Sequence, residues 1–217
     1  MTVVVVEHPI VADRLARIRD RMTPTSIFRR LVEEVGLFLA YEATRTLCVR
    51  DQAIETPVAP ATVARVAERP IVAPILRAGL GLLPGFLHVV DDADVAHVGF
   101  YRDPDTLVAI PYYANLPDSL AGRPVYVLDP MLATGHSGVA ALTLLAERGA
   151  RDATFISLIA STIGITTLQA AHTGVRIVTA AIDDTLTARG YISPGLGDAG
   201  DRMFGSATSL PVGDRRR

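Results

Sequence analysis

Two hydrophobic rhythms run along the chain. Short apolar runs recur at 3–6, 71–76, 95–100, 125–128, 153–160 and 175–182. Runs of this length, bounded by Gly, Pro or charged residues, predict buried strands. Between them apolar residues fall at helical spacing. Ile27, Leu31, Val35, Phe38 and Leu39 predict a helix that starts near Thr23, with Thr23 as cap and Pro24 in the first helical position. Val139, Leu142, Leu144 and Leu145 predict a second helix over 137–148, stopped by Gly149. A third is predicted over 163–172, ending at Gly174. Pro57 and Pro60 mark a break. Residues 105–118 alternate weakly and carry Pro111 and Pro117, which predicts an extended arm or hairpin. In the second half strands and helices alternate, so βαβ crossovers and a mainly parallel sheet covered on both faces follow. The predicted class is α/β, as one domain over 1–217 with a small arm near 103–119 and a frayed tail over 206–217.

Composition narrows the functional classes. The chain has 217 residues, of which 49% are hydrophobic and 20% charged, so a sizeable core is within reach without disulfides or metals. A formal net charge of −2 gives no basic field for nucleic acid. There is no lysine, which excludes a lysine-dependent phosphate loop. The single cysteine, Cys48, cannot form an internal disulfide and is read as a small apolar residue at a helix end. No run of apolar residues reaches membrane-spanning length, and the start lacks a signal pattern, so a cytoplasmic protein is expected. His8, His88, His97 and His172 have no triad or metal spacing and are read as structural.

In a parallel sheet, ligands bind beyond the carboxyl ends of the strands. That rule points to Arg77, Arg102, the segment Asp129 to Ser137, and whatever follows Ile182. The segment Asp129-Pro130-Met131-Leu132-Ala133-Thr134-Gly135-His136-Ser137 joins a predicted strand to a predicted helix. Free N–H groups at a helix start, with the helix dipole, favour a phosphate. Thr134 and Ser137 add hydroxyls, Gly135 allows close approach, and Asp129 can accept from sugar hydroxyls. Together these suit a 5-phosphoribose. The plainer alternative is a capped helix with Ser137 as N-cap. Gly195 to Gly200 is a formal GxGxxG, but Pro194 precedes it, no helix is evident after it, and the chain ends too soon for a dinucleotide-binding unit. Asp183 and Asp184 read as a solvated strand end. Tyr112 and Tyr113 could cover a site or pack.

The segment 129–137 resembles the phosphoribosyl pyrophosphate (PRPP) loop of uracil phosphoribosyltransferases. Pro74 to Gly81, Gly99 to Arg102, and Tyr191 to Arg202 with Met203-Phe-Gly205 resemble further segments of that family, in its order, over about 5–205. The resemblance implies a type I phosphoribosyltransferase fold and synthesis of UMP and diphosphate from uracil and PRPP, a pyrimidine salvage reaction. It makes Arg77, Arg102, Asp198 and the loop Asp129 to Ser137 PRPP ligands, with Arg77, Arg102 and Asp198 as catalytic residues. It makes Ile192, Gly197, Asp198 and Ala199 the uracil site, within a recognition segment over about 184–205. It also implies Mg²⁺ held mainly through PRPP, a homodimer or higher oligomer, and, in some members, GTP as effector. Two departures stand out: His136 where the family usually has Gly, and Ser161 to Gly164 where it usually has Ala-Pro-Glu-Gly. The first motivates an alternative of another class, a non-catalytic PRPP- or UMP-binding regulator.

Overall fold

The structure is a computed structural model that describes residues 2–102 and 109–205, with the backbone alone at Arg102 and Ala109. The proposed tail at 206–217, and 103–108 of the arm, lie outside the described residues.

The chain opens with β1 (Thr2–Val5), α1 (Pro9–Arg19) and α2 (Thr25–Ala43). Helix α1 is absent from the pattern reading above, although Val11, Leu15 and Ile18 lie on one face and are buried. Its His8 cap accepts from Ile10 N and stacks on Phe38. Helix α2 begins one residue later than expected. Pro24 is its N-cap, and the Thr23 hydroxyl donates to Arg17 O instead of capping. Phe28, Leu31, Val32, Val35 and Leu39 of α2 are fully buried, each contributing roughly 1.5–3 kcal/mol.

Strands β2 (Val49–Glu55) and β3 (Pro60–Val66) form an antiparallel hairpin across the region marked by Pro57 and Pro60. Cys48, just before it, is exposed and not part of a packed surface. Then come β4 (Ile71–Leu76), α3 (Leu83–Val89), β5 (Asp94–Val95), β6 (His97–Arg102) and β7 (Ala109–Asn115). Of the predicted arm, the described part 109–115 is extended and pairs antiparallel with β6; the lack of a Cβ at Gly99 leaves room for the Tyr112 ring, and Tyr112 and Tyr113 are both exposed. The remaining elements are β8 (Val125–Leu128), β9 (Met131–Leu132), α4 (His136–Glu147), β10 (Ala153–Ala160), α5 (Thr162–Ala171), β11 (Arg176–Ile182), β12 (Thr185–Leu186), β13 (Ile192–Ser193) and α6 (Ala199–Phe204).

The main sheet runs β1-β11-β10-β8-β4-β6-β7, with β5 beside β4 and β9 beside β10. Every pairing in it is parallel except β6 with β7. Parallel strands need helices on both faces. Accordingly, one core gathers α1, α2 and α3 over one face, and the other places α4 and α5 over the opposite face. No helix of the described residues is long and apolar enough to cross a membrane.

Parallel pairing brings the carboxyl ends of neighbouring strands to one edge. In spatial order β11, β10, β8, β4 and β6 end in Ile182, Ala160, Leu128, Leu76 and Arg102. The residues at that edge are Asp183, Ser161, Asp129, Arg77 and Arg102. Five polar residues distant in sequence thus come to lie along one line.

Candidate active site

Beyond this edge lies a cleft of about 360 Å³. One wall is Asp129, Met131, Ala133 and Ser137 of the loop after β8; the other is Arg189 to Ile192 and Gly197 to Gly200, with Ala78 between them. A smaller pocket, about 30 Å³, continues along Thr134, Gly135 and Gly138 to the start of α4.

The loop's shape follows from its local sequence. Asp129 N donates to Ile156 O at 3.1 Å, and the Asp129 Oδ1 oxygen accepts from Met131 N at 3.4 Å. Pro130 is buried, its carbonyl accepting from Leu158 and Ile159. The Leu132 side chain is buried in the core, so Pro130 and Leu132 anchor the loop and do not offer side chains to the cleft. Gly135 adopts φ +86°, a left-handed conformation that costs glycine little. It is the N-cap of α4, in place of Ser137, and brings no capping side chain to the first-turn N–H groups. That leaves an anion-favouring helix start facing the small pocket. His136, the first helical residue, has right-handed helical backbone and is exposed, so its Cβ meets no conformational penalty.

The loop is held from behind. Ser161 is fully buried and caps α5; its Oγ accepts from Gly164 N at 2.8 Å and donates to Ala133 O at 2.5 Å. Ser161 N donates to Leu132 O at 2.9 Å. Gly164 lets α5 approach so closely that a Cβ there would sit 2.5 Å from both Leu132 O and Ala133 O. Ser161 to Gly164 is thus a supporting shelf for the loop.

The opposite wall is a tight turn. Gly195 and Gly197 adopt φ +55° and +81°, and the Ser193-Pro194 peptide is cis. The formal GxGxxG here does lead into a helix, but α6 has only six residues. Asp198 is its exposed N-cap, its carboxylate accepting from Asp201 N at 2.9 Å. Ile192 is buried in the core beneath the cleft, whereas Gly197 and Asp198 are exposed to it.

Arg77 follows β4 across a cis peptide from Leu76, and its guanidinium lies 3.5 Å from Asp201 of α6 at the cleft's rim. Arg102 ends β6, two strands from Asp129; its side chain lies outside the described residues. Arg77, Pro130 and His136 are therefore not among the residues that line the cleft, whereas Ala78, Arg189, Gly190, Tyr191 and Gly200 are, beyond the residues expected individually.

Asp183 corrects the sequence reading. It is no solvated strand end: its side chain is only 8% exposed. It accepts from Arg19 Nη1 at 2.6 Å and Nη2 at 2.8 Å, and from Gly195 N at 2.9 Å. Those hydrogen bonds from Arg19, ahead of the opposing desolvation, hold its carboxyl below the ordinary value of 3.8. A depressed carboxyl pKa contributes stability that is complete above the unfolded value and disappears as pH falls through the folded one. The stability difference between wild type and Asp183→Asn is therefore expected to be constant from pH 7 to 5 and to shrink below about pH 4. Urea unfolding at stepped pH measures it; a gap independent of pH down to 3 would contradict the pair.

A family model described as uracil phosphoribosyltransferase matches residues 5–206. The chain belongs to the uracil phosphoribosyltransferase family. It is similar to the uracil phosphoribosyltransferase of Caulobacter sp. (strain K31), 50% identical over 205 residues, covering 94% of this chain and 98% of that one. It is also similar to that of Staphylococcus aureus (strain Newman), 49% identical over 203 residues, covering 93% and 97%. Among solved structures, the AQ2163 protein of Aquifex aeolicus superposes with a TM-score of 0.90 at 33% identity, covering 96% of this chain and all of that one. The fold is the type I phosphoribosyltransferase fold, and the chain is a phosphoribosyltransferase.

Proposed function

We propose that this protein transfers the 5-phosphoribosyl group of PRPP to uracil, giving UMP and diphosphate in pyrimidine salvage. The carrying observation is one cleft with two unlike walls: a strand-to-helix loop shaped for a sugar phosphate, facing a compact turn at 197–199. Such a turn can meet uracil's imide N–H and two carbonyls with backbone groups, and its small size rejects purines by shape. In the reaction the bond from C1′ to pyrophosphate breaks, a bond from C1′ to N1 of uracil forms, and N1 loses its proton.

In this reading the N–H groups of the α4 start and the hydroxyls of Thr134 and Ser137 bind the 5-phosphate, and Asp129 accepts from the ribose hydroxyls. Met131, Ala133 and Gly135 shape the loop, with Pro130 and Leu132 fixing it beneath and His136 beside the phosphate. Arg77 and Arg102, at the ends of adjacent strands, hold the pyrophosphate; a planar guanidinium suits two phosphate oxygens at once. Ile192, Gly197 and Ala199 hold uracil, and Asp198 sits between base and PRPP. Much of the rate comes from holding two substrates in line.

Asp129 and Asp198 bring carboxylate oxygens to the cleft, the donor type that Mg²⁺ prefers, so a magnesium–PRPP complex fits these residues. When bound, the cation spreads the charge of the departing pyrophosphate. Self-association belongs to the same reading, supported by the exposed Val49, Val58 and Val66 of the β2–β3 hairpin; GTP as effector rests on family membership alone.

The test is turnover with PRPP, Mg²⁺ and each common base in turn. Pyrophosphate release with uracil alone is expected. Release with a different base reassigns the substrate. Calorimetric binding of PRPP and UMP with no turnover identifies a regulator instead.

A further inference from the structure

Different side chains hold the two walls of the cleft, whose supports meet where Asp183 N donates to Ala160 O at 2.9 Å. The sugar-phosphate loop is held by Ser161, Gly164 and the backbone of β10. The base-side turn is held by arginines that these contacts do not include. Arg19 and Asp183 grip Gly195 by both of its backbone polar groups: Gly195 N donates to Asp183 Oδ2 at 2.9 Å, and Arg19 Nη1 donates to Gly195 O at 2.9 Å. The next carbonyl, Leu196 O, accepts from Arg202 Nη1 at 2.8 Å. Arg202 also donates to Ile18 O and Asp20 O, each at 2.6 Å, on either side of Arg19 at the end of α1, and its guanidinium lies 4.2 Å from the Phe28 ring centroid. Two successive residues of the turn are thereby fixed to the end of one helix, and the residues that follow, Gly197 to Ala199, line the cleft.

The turn itself has little slack. Gly195 has positive φ, and a Cβ there would sit 2.1 Å from Ile192 O. A two-point guanidinium–carboxylate contact fixes orientation as well as distance. Arg19 and Asp183 are separated by most of the chain, and neither lines the cleft.

We propose that the Arg19–Asp183 pair is a positioning element for base recognition: it sets the turn 195–199 so that backbone groups meet uracil, and it acts on the base more strongly than on PRPP, which this turn meets through Asp198 alone. The proposal rests on the functional reading above. Because the pair shares no hydrogen bond with the loop at 129–137, loosening it separates the two substrates kinetically.

The experiment varies uracil and PRPP independently in wild type, Asp183→Asn and Arg19→Lys. Asp183→Asn retains an acceptor for Gly195 N and removes the charge that faces Arg19. It is expected to raise KM for uracil about tenfold while KM for PRPP and kcat change by less than about threefold. The preference for uracil over cytosine, read as the ratio of kcat/KM values, falls with it. Arg19→Lys keeps the charge but loses the fork, so its change runs in the same direction and is smaller. Equal rises in both KM values, or unchanged kinetics with a lowered melting temperature, would overturn the proposal, because a purely structural pair behaves that way. Should Asp183→Asn fail to fold, Arg19→Lys decides by the same criteria. Wild-type protein that turns over no base removes the functional reading itself, and the proposal with it; wild-type turnover with a uniform loss in the variants removes the proposal alone.

Discussion

Replacing Arg77 by alanine is expected to lower kcat by roughly 100- to 1,000-fold while leaving the fold intact. The side chain is 56% exposed at the end of β4, so its removal opens no cavity. Its contact with Asp201 is long, at 3.5 Å, and a surface pair of this kind contributes below about 1 kcal/mol. Losing that contact should itself move the melting temperature little. The rate should move much more, because negative charge builds on the departing pyrophosphate in the transition state. A fixed cation near that charge is worth a loss of that order when deleted. Arg77→Lys restores charge without the fork and is expected to recover only part of the rate. Initial rates over a range of PRPP concentrations measure both variants. Unchanged kinetics for Arg77→Ala would remove this residue from the site.

Gly164→Ala is expected to act by the opposite route, through packing. The added methyl would lie 2.5 Å from two backbone carbonyl oxygens, Leu132 O and Ala133 O, and neither belongs to a side chain that can swing away. Either α5 withdraws, which strains the Ser161 cap, or the loop at 131–133 shifts toward the cleft. Overpacking of this kind costs about 3 kcal/mol. For a chain of this size that corresponds to a fall in melting temperature of roughly 6–12 °C. Because the displaced carbonyls belong to the loop proposed to bind PRPP, KM for PRPP should rise as well, while a variant that folds should keep its KM for uracil. Calorimetric melting and the two KM values check this. A melting temperature within about 2 °C of wild type would show that α5 can move back freely.

Legibility in the sequence followed locality. The loop 129–137 could be read because strand, glycine, hydroxyls and helix lie in one contiguous run, so that each residue's meaning came from its neighbours. The strands β4, β8, β10 and β11 could be read because burial on both faces leaves mostly apolar runs. Helix α1 could not, since arginines and an aspartate interrupt a stripe that only Val11, Leu15 and Ile18 define. The β2–β3 hairpin had no buried face to impose alternation, so its pattern carried little signal. Asp183 was misread for a different reason. Its partner Arg19 lies 164 residues earlier, and nothing in the sequence near either residue names the other.

Alone, the sequence determined the class of fold and the chemistry on offer: alternating strands and helices, a phosphate-suited helix start, arginines after strands, and a glycine-rich turn near the end. These depend on hydrogen bonding and hydrophobic period within a dozen residues, which the chain encodes locally. The tertiary structure decided which of those parts share one cleft, where the helix cap falls, and what holds each wall in place. Parallel pairing alone puts Asp183, Ser161, Asp129, Arg77 and Arg102 on one edge. Burial alone turns an ordinary Asp and a distant Arg into a fixed pair, because a carboxylate removed from water must find its cation wherever the fold has brought one.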